Sequence, residues 1–299
     1  MRISRTILAG VLALTLSTLS ACAAPDSGKT GNDTTVKSGG KDAAAAGLLP
    51  DNIASSGTLK IATSAPFPPM EEISADGKTF TGFDIDLGNA LGEILGVKVE
   101  WTNADFDGLI GNIDSGRQDM VMASMVDKAE RQAKLTFVDY LNSGFVYIVK
   151  SDVAGDYTDL TSLCGKKVAV EKGSYGVTAA ENASKDCESS GKPALDVSVL
   201  PKMADAVTAI NSGRADASIA LDLTMVDTVA KSNGTLTIIG TPFDTVPLGV
   251  GIAKANEDLV KAVQAALKKF QADGGYAELL KKYSLSDNAL DGAPLNQGK

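Results

Sequence analysis

The sequence predicts an α/β protein of two lobes with mainly parallel sheets, and three observations support this. First, an eleven-residue pattern recurs. Residues 113–123, IDSGRQDMVMA, align with residues 210–220, INSGRADASIA, at a constant offset of 97 (210 minus 113). Each copy reads as an apolar-periodic helix ending at Ser-Gly, with glycine suited to the left-handed position past a helix end. A short apolar strand begins at or after the aspartate. Second, strand candidates at residues 59–63 and 167–170 precede helical stretches, the alternation expected of parallel sheets. Third, about 250 residues follow position 47, and with 44% hydrophobic residues overall such a chain can support two cores.

The start of the chain reads as an export signal: Arg2 and Arg5 are basic, residues 7–19 are mostly apolar, and Leu19-Ser20-Ala21-Cys22 follows. The apolar run is shorter than the roughly 20 residues that a spanning helix needs. Leu-Ser-Ala-Cys resembles the lipobox of bacterial lipoproteins, which implies cleavage of residues 1–21 and lipidation of Cys22. Acyl methylenes at about 0.8 kcal/mol each would make such an anchor long-lived. Residues 22–47, rich in Gly, Ala, Ser, Thr, Asp and Lys, read as a flexible tether.

Removing residues 1–21 takes away two of 28 basic residues and none of 37 acidic ones, so the charge becomes 26 minus 37, or -11. That disfavours nucleic acid. The absence of histidine excludes Ser-His-Asp and Cys-His nucleophilic machinery and any histidine-based metal site. Neither metal nor cofactor is expected. With Cys22 assigned to lipid, Cys164 and Cys187, 23 positions apart in an exported chain, read as a disulfide worth about 3 kcal/mol.

Residues 82–95, GFDIDLGNALGEIL, resemble the signature of the family 3 extracellular solute-binding proteins, which serve ABC importers of polar amino acids. The resemblance runs from about Asp51 to Ser286, through residues 106–110, both Ser-Gly-Arg segments, Glu130-Arg131, residues 136–140 and residues 247–252. It implies two Rossmann-like lobes joined by a two-strand hinge, the type II periplasmic-binding-protein fold. Lobe one would span residues 48–147 and 247–286, lobe two residues 148–246, and residues 287–299 a tail. The crossovers would fall near residues 145–150 and 245–249. Asp84 and Asp86 read as helix-start residues and not as a calcium loop, for which two carboxylates are too few.

A zwitterion needs a fixed cation and a fixed anion. By match to the family pattern, Arg131 is expected to take a carboxylate and Asp222 an ammonium, with Asp227 a weaker substitute. Gly173-Ser174-Tyr175-Gly176 would present amides at a helix start. Phe67, in a proline-rich loop, and Phe106 would wall the ligand, whereas Trp101, alternating with Val97 and Val99, would be packing. The chain departs from the family pattern at Ser64, where an acidic residue is common. It departs also at Val126 and Lys128, where hydroxyl residues are usual, and at Tyr175, which either narrows the pocket or contacts the ligand. The resulting set is Ser64, Phe67, Phe106, Ser124, Val126, Arg131, Ser174, Tyr175 and Asp222. The expected role is capture of an amino acid or related small polar solute, without catalysis, by a monomer anchored outside the cytoplasm, and delivery to a permease. The competing readings are a dehydratase using Glu71 or Glu171 as general acid, and a sensor subunit.

Overall fold

The computed structural model describes residues 39–157 and 160–299. The expected signal segment and Cys22 lie outside the described residues. Short helices α1 (Ala43–Ala46) and α2 (Asp51–Ser56) lead into strand β1 (Thr58–Thr63), a hairpin of β2 (Glu72–Ile73) and β3 (Phe80–Thr81), helix α3 (Phe83–Leu95) and strand β4 (Lys98–Asn103). Helix α4 (Leu109–Asp114), β5 (Met120–Val121), α5 (Ala129–Gln132) and the long β6 (Leu135–Lys150) follow. The second lobe holds β7 (Lys167–Glu171), α6 (Tyr175–Ser189), β8 (Asp196–Leu200), α7 (Met203–Asn211), β9 (Ala217–Leu221) and α8 (Asp222–Lys231). Strand β10 (Leu236–Ala253) returns to the first lobe, which α9 (Glu257–Ala272) and α10 (Gly275–Lys282) complete.

One sheet carries the order β4-β1-β5-β10-β6-β9-β7-β8. Three parallel strands form each wing, and the antiparallel pair β6 and β10 runs between them. Strand β9 is buried along its whole length, as expected of a strand covered on both faces. Helix α9 shows the complementary pattern: Leu259, Val263, Leu267 and Phe270 recur at helical spacing and are fully buried.

The sequence repeat performs the same structural job twice. Gly116 and Gly213 both adopt positive φ, 68° and 73°, which glycine does without a Cβ penalty. Asp119 Oδ2 accepts the Lys60 amide at the start of β1, and Asp216 Oδ2 accepts the Lys167 amide at the start of β7, both at 2.8 Å. Arg117 and Arg214 each donate Nε to the serine two residues earlier.

Four expectations are corrected or sharpened. Residues 145–149, within the stretch expected as a crossover, pair with β9 from Phe145↔Leu221 to Val149↔Ala217. Between that pairing and the first-lobe part of β6 lie Asn142, Ser143 and Gly144. On β10 the register breaks cluster between Ile239 and Gly249. The last part of the expected tether is folded. Asp42 donates its amide to Ile94 O and caps α1 by accepting from Ala45 N, and Ala45 is buried against α3 and α9. The expected tail is docked as well, with bridges Leu141↔Ala289 and Val138↔Leu295 and a fully buried Ala293. Cys164 and Cys187 are disulfide-bonded, Cα to Cα 5.6 Å, as expected.

Candidate ligand-binding cavity

The loop before α3 brings the first two cavity residues together. Phe67 and Glu71 exchange backbone hydrogen bonds of 2.7 and 3.2 Å, and the first amides of α3, Phe83 and Asp84, donate to Pro69 O and Met70 O. Gly82, at φ 124°, is required there because a Cβ would collide with Met70 O. Asp84, fully buried in the first turn of α3, accepts from Ser124 N at 2.7 Å and Tyr140 OH at 2.7 Å. It thereby holds Ser124 at its positive φ of 47°. Asp86 instead accepts from Lys282 and Tyr283, tying α3 to the residues around the end of α10. The helix-start reading of both was correct in position and incomplete in role.

A cavity lies between the lobes. Ser64, Phe67, Phe106, Ser124, Val126, Arg131, Ser174 and Tyr175 all line it. Ser174 caps α6, accepting from Gly176 N at 3.1 Å, so the amide end of a 15-residue helix meets the cavity. Tyr175 stacks on Phe145, centroids 4.6 Å apart.

Arg131 is 5% exposed. Its Nη1 donates to Val126 O at 2.6 Å, its Nη2 to Gly173 O at 2.9 Å, and its guanidinium lies 5.5 Å from the Phe106 ring centroid. Burial lowers its pKa to about 10, which leaves it a cation at any physiological pH. The carboxylates beside it in sequence are otherwise engaged. Glu130 pairs with Lys128, and Asp127 accepts from Gln132 and Gly298. Lys128, where the family pattern often has a hydroxyl residue, turns to Glu130.

Asp222, expected to take the ligand ammonium, is not among the residues that line the cavity. Its Oδ1 accepts from Ser143 Oγ at 2.6 Å and from Leu223 N at 2.7 Å, and it lines a separate open groove with Pro69, Val226, Asp227 and Tyr283 instead of the cavity. The side chain sits at the start of α8, where the positive helix end and the hinge hydroxyl satisfy it locally. Asp227 lines that groove too and pairs with Lys231 at 2.9 Å.

Two acids, Glu71 and Glu171, line the cavity. Glu71 is 1% exposed, and its carboxyl lies against the Asp84 carboxyl and Ser124. Burial, then the Asp84 charge, raises its pKa well above the usual carboxylate range. Glu171 is the last residue of β7, and one oxygen accepts from Met203 N at 3.2 Å. Burial raises it to about 7. The rule that ligands bind beyond the carboxyl ends of strands could have singled out Glu171. Phe145 and Met203, also lining, carried no comparable signal.

Residues 59–286 match the pattern of the bacterial extracellular solute-binding proteins, family 3. The chain belongs to that family. Among its relatives is the L-cystine-binding protein TcyJ of Escherichia coli (strain K12), 31% identical over 243 residues, covering 81% of this chain and 87% of that protein. An ancestral arginine-binding protein bound to arginine superposes with TM-score 0.69 at 32% identity, covering 76% and 98% of the two chains. The ancestral amino acid-binding protein AncCDT-1, a precursor of cyclohexadienyl dehydratase, gives TM-score 0.70 at 31% identity, covering 78% and 97%. Mixed α/β architecture, two lobes and a solute-binding role are therefore family properties of this chain. Among the described residues no helix is long and apolar enough to cross a membrane.

Proposed function

We propose that the cavity binds an amino acid carrying an additional cationic group, for delivery to the permease of an ABC importer. The carrying observation is the charge set of one enclosed cavity: Arg131 against the buried Glu71 and Glu171. The ligand carboxylate meets Arg131 and the amides at the start of α6. Its ammonium and side-chain cation meet the two carboxylates. With both acids ionised, the residues lining the cavity carry one negative charge in excess, -2 plus +1, which a ligand of net charge +1 neutralises. Buried charges that find partners recover the desolvation cost that unpaired ones incur. The similarity to an arginine-bound relative supports the same class.

Capture proceeds by closure of the lobes about residues 142–144 and the irregular part of β10, a ligand stabilising the closed state in proportion to its preference for it. The two bodies are residues 48–147 with 247–286 and residues 148–246, with residues 145–147 moving with the second because they pair with β9. Lys172 with Asp107 at 2.7 Å and Lys231 with Glu72 at 3.8 Å are ion pairs across the cleft rim. Cys22 anchors the chain to lipid outside the cytoplasm, and the chain works as a monomer. Conversion of Cys22 to serine should release the protein from membranes.

Calorimetry of the purified protein against L-arginine, L-lysine, L-ornithine, L-cystine, L-glutamine and simple diamines tests the reading. Binding confined to neutral amino acids would reject it. A dehydratase reading rests on the proton that Glu71 and Glu171 retain near neutral pH. Turnover of a cyclohexadienyl substrate by purified protein would establish it.

A further inference from the structure

The family match ends at residue 286, yet residues 289–298 form an ordered strap along the first-lobe part of β6. Strand β9 pairs with β6 only from Phe145 onward. The strap takes the preceding stretch of the same edge through Asp139 N to Pro294 O at 2.9 Å, Phe137 N to Asn296 Oδ1 at 2.8 Å and Asn296 N to Phe137 O at 3.2 Å. Covering an open edge is a sufficient reason for residues 289–296. It does not account for Gly298.

Gly298 has left β6 and meets the segment between β5 and β6. Its amide donates to Asp127 Oδ2 at 2.7 Å, and its carbonyl accepts from Gln132 Nε2 at 3.0 Å. The same Gln132 amide donates to Asp127 Oδ1 at 2.8 Å, so three residues close a ring of hydrogen bonds. Asp127 is 1% exposed, and an amide donor to a buried carboxylate is among the stronger hydrogen bonds a protein makes. A Cβ at residue 298 would collide with Asp127 O. The approach is therefore one that only glycine permits.

Asp127 and Gln132 bracket Arg131. Asp127 follows Val126, whose carbonyl receives Arg131 Nη1 at 2.6 Å, and Gln132 follows Arg131 itself. The other face of this segment is held by Asp127 N donating to Pro247 O at 2.9 Å. We propose that Gly298 makes the strap a positioning element of the cavity, setting the Arg131 guanidinium by gripping Asp127 and Gln132. The proposal rests on the reading that Arg131 is the ligand's carboxylate partner only for its functional consequence. The positioning itself is testable without ligand.

The test compares the full chain, Gly298→Ala and a variant lacking residues 296–299, all ligand-free. Side-chain nitrogen resonances of Arg131, assigned by their disappearance in Arg131→Lys, report the guanidinium directly. The expected result in both variants is displaced or broadened Arg131 signals, Arg117 and Arg214 signals unchanged, and about tenfold faster amide exchange confined in Gly298→Ala to residues 126–132. Unchanged Arg131 signals in both variants would overturn the proposal, as would faster exchange in Gly298→Ala spread evenly along β6, because edge covering alone produces that. Failure of L-arginine, L-lysine and L-ornithine alike to bind the unaltered chain would reject the functional reading and leave these signals to decide the strap.

Discussion

The Arg131 guanidinium, carried by the first lobe, donates to the Gly173 carbonyl of the second at 2.9 Å. One cation thus touches both lobes and the cavity between them. Replacing it removes a buried charge that its surroundings are built to hold. Arg131→Ala should weaken binding of the preferred amino acid by about 100-fold or more, corresponding to roughly 3 kcal/mol. Arg131→Lys should recover only part of this, because an ammonium lacks the planar fork. Titration calorimetry checks both.

Glu71 bears the opposite relation to stability and binding. Its buried carboxyl faces the Asp84 carboxylate instead of a cation, so Glu71→Gln should leave the ligand-free fold as stable or more stable at pH 7.5. The same change should lower affinity for a cationic amino acid about tenfold or more. Paired melting and binding measurements on one variant separate the two effects. A melting temperature lowered together with affinity would mean that the carboxylate is structural.

Stability of the ligand-free protein should fall as pH rises from about 4 to 7. Asp84 is raised to about 6, and Glu171 and Asp139 to about 7, each by burial first. A carboxyl whose folded pKa lies above its unfolded value binds more protons in the fold across that window. Its contribution is complete below the unfolded pKa and is lost as pH climbs through the folded one. Denaturant melts at pH 5 and pH 7.5 test this, and greater stability at the higher pH would contradict it.

Ligand binding should shift in the opposite direction. A cation seated on Glu71 and Glu171 favours their charged forms, so binding near pH 6.5 releases protons and affinity rises between pH 5 and 8. Calorimetry in buffers of different ionisation enthalpy counts the protons. Uptake in place of release would place the ligand's cation elsewhere.

Asp222→Asn should change ligand affinity less than threefold and cost about 1 kcal/mol of stability through its hydrogen bonds to Ser143 and Leu223 N. A collapse of binding comparable to that of Arg131→Ala would show that Asp222 turns into the cavity when ligand is present.

Much of the framework was legible beforehand for local reasons. The Ser-Gly-Arg repeat could be read because a helix end, a glycine at positive φ and a following strand are fixed within a dozen residues, and Asp119 and Asp216 do the same work in both copies. The start of α6 was legible in Gly173-Ser174-Tyr175-Gly176 following a strand, and the Cys164 to Cys187 bond in the count of cysteines in an exported chain. Arg131 came from a family pattern, and the structure shows the burial behind it.

What the sequence by itself determined, then, is the set of local units and the residue types available to a cleft between them. Tertiary structure decided which of those residues face one another. Glu71 and Glu171 became a matched pair of buried acids because a loop and a strand end close on one cavity, Asp222 was diverted by a hinge serine 79 positions away, and a strap at Gly298 gripped Asp127 across 171 positions. Burial and the hydrogen bonds that answer it are set by contacts between distant segments, and no local pattern encodes the desolvation that gives these groups their chemistry.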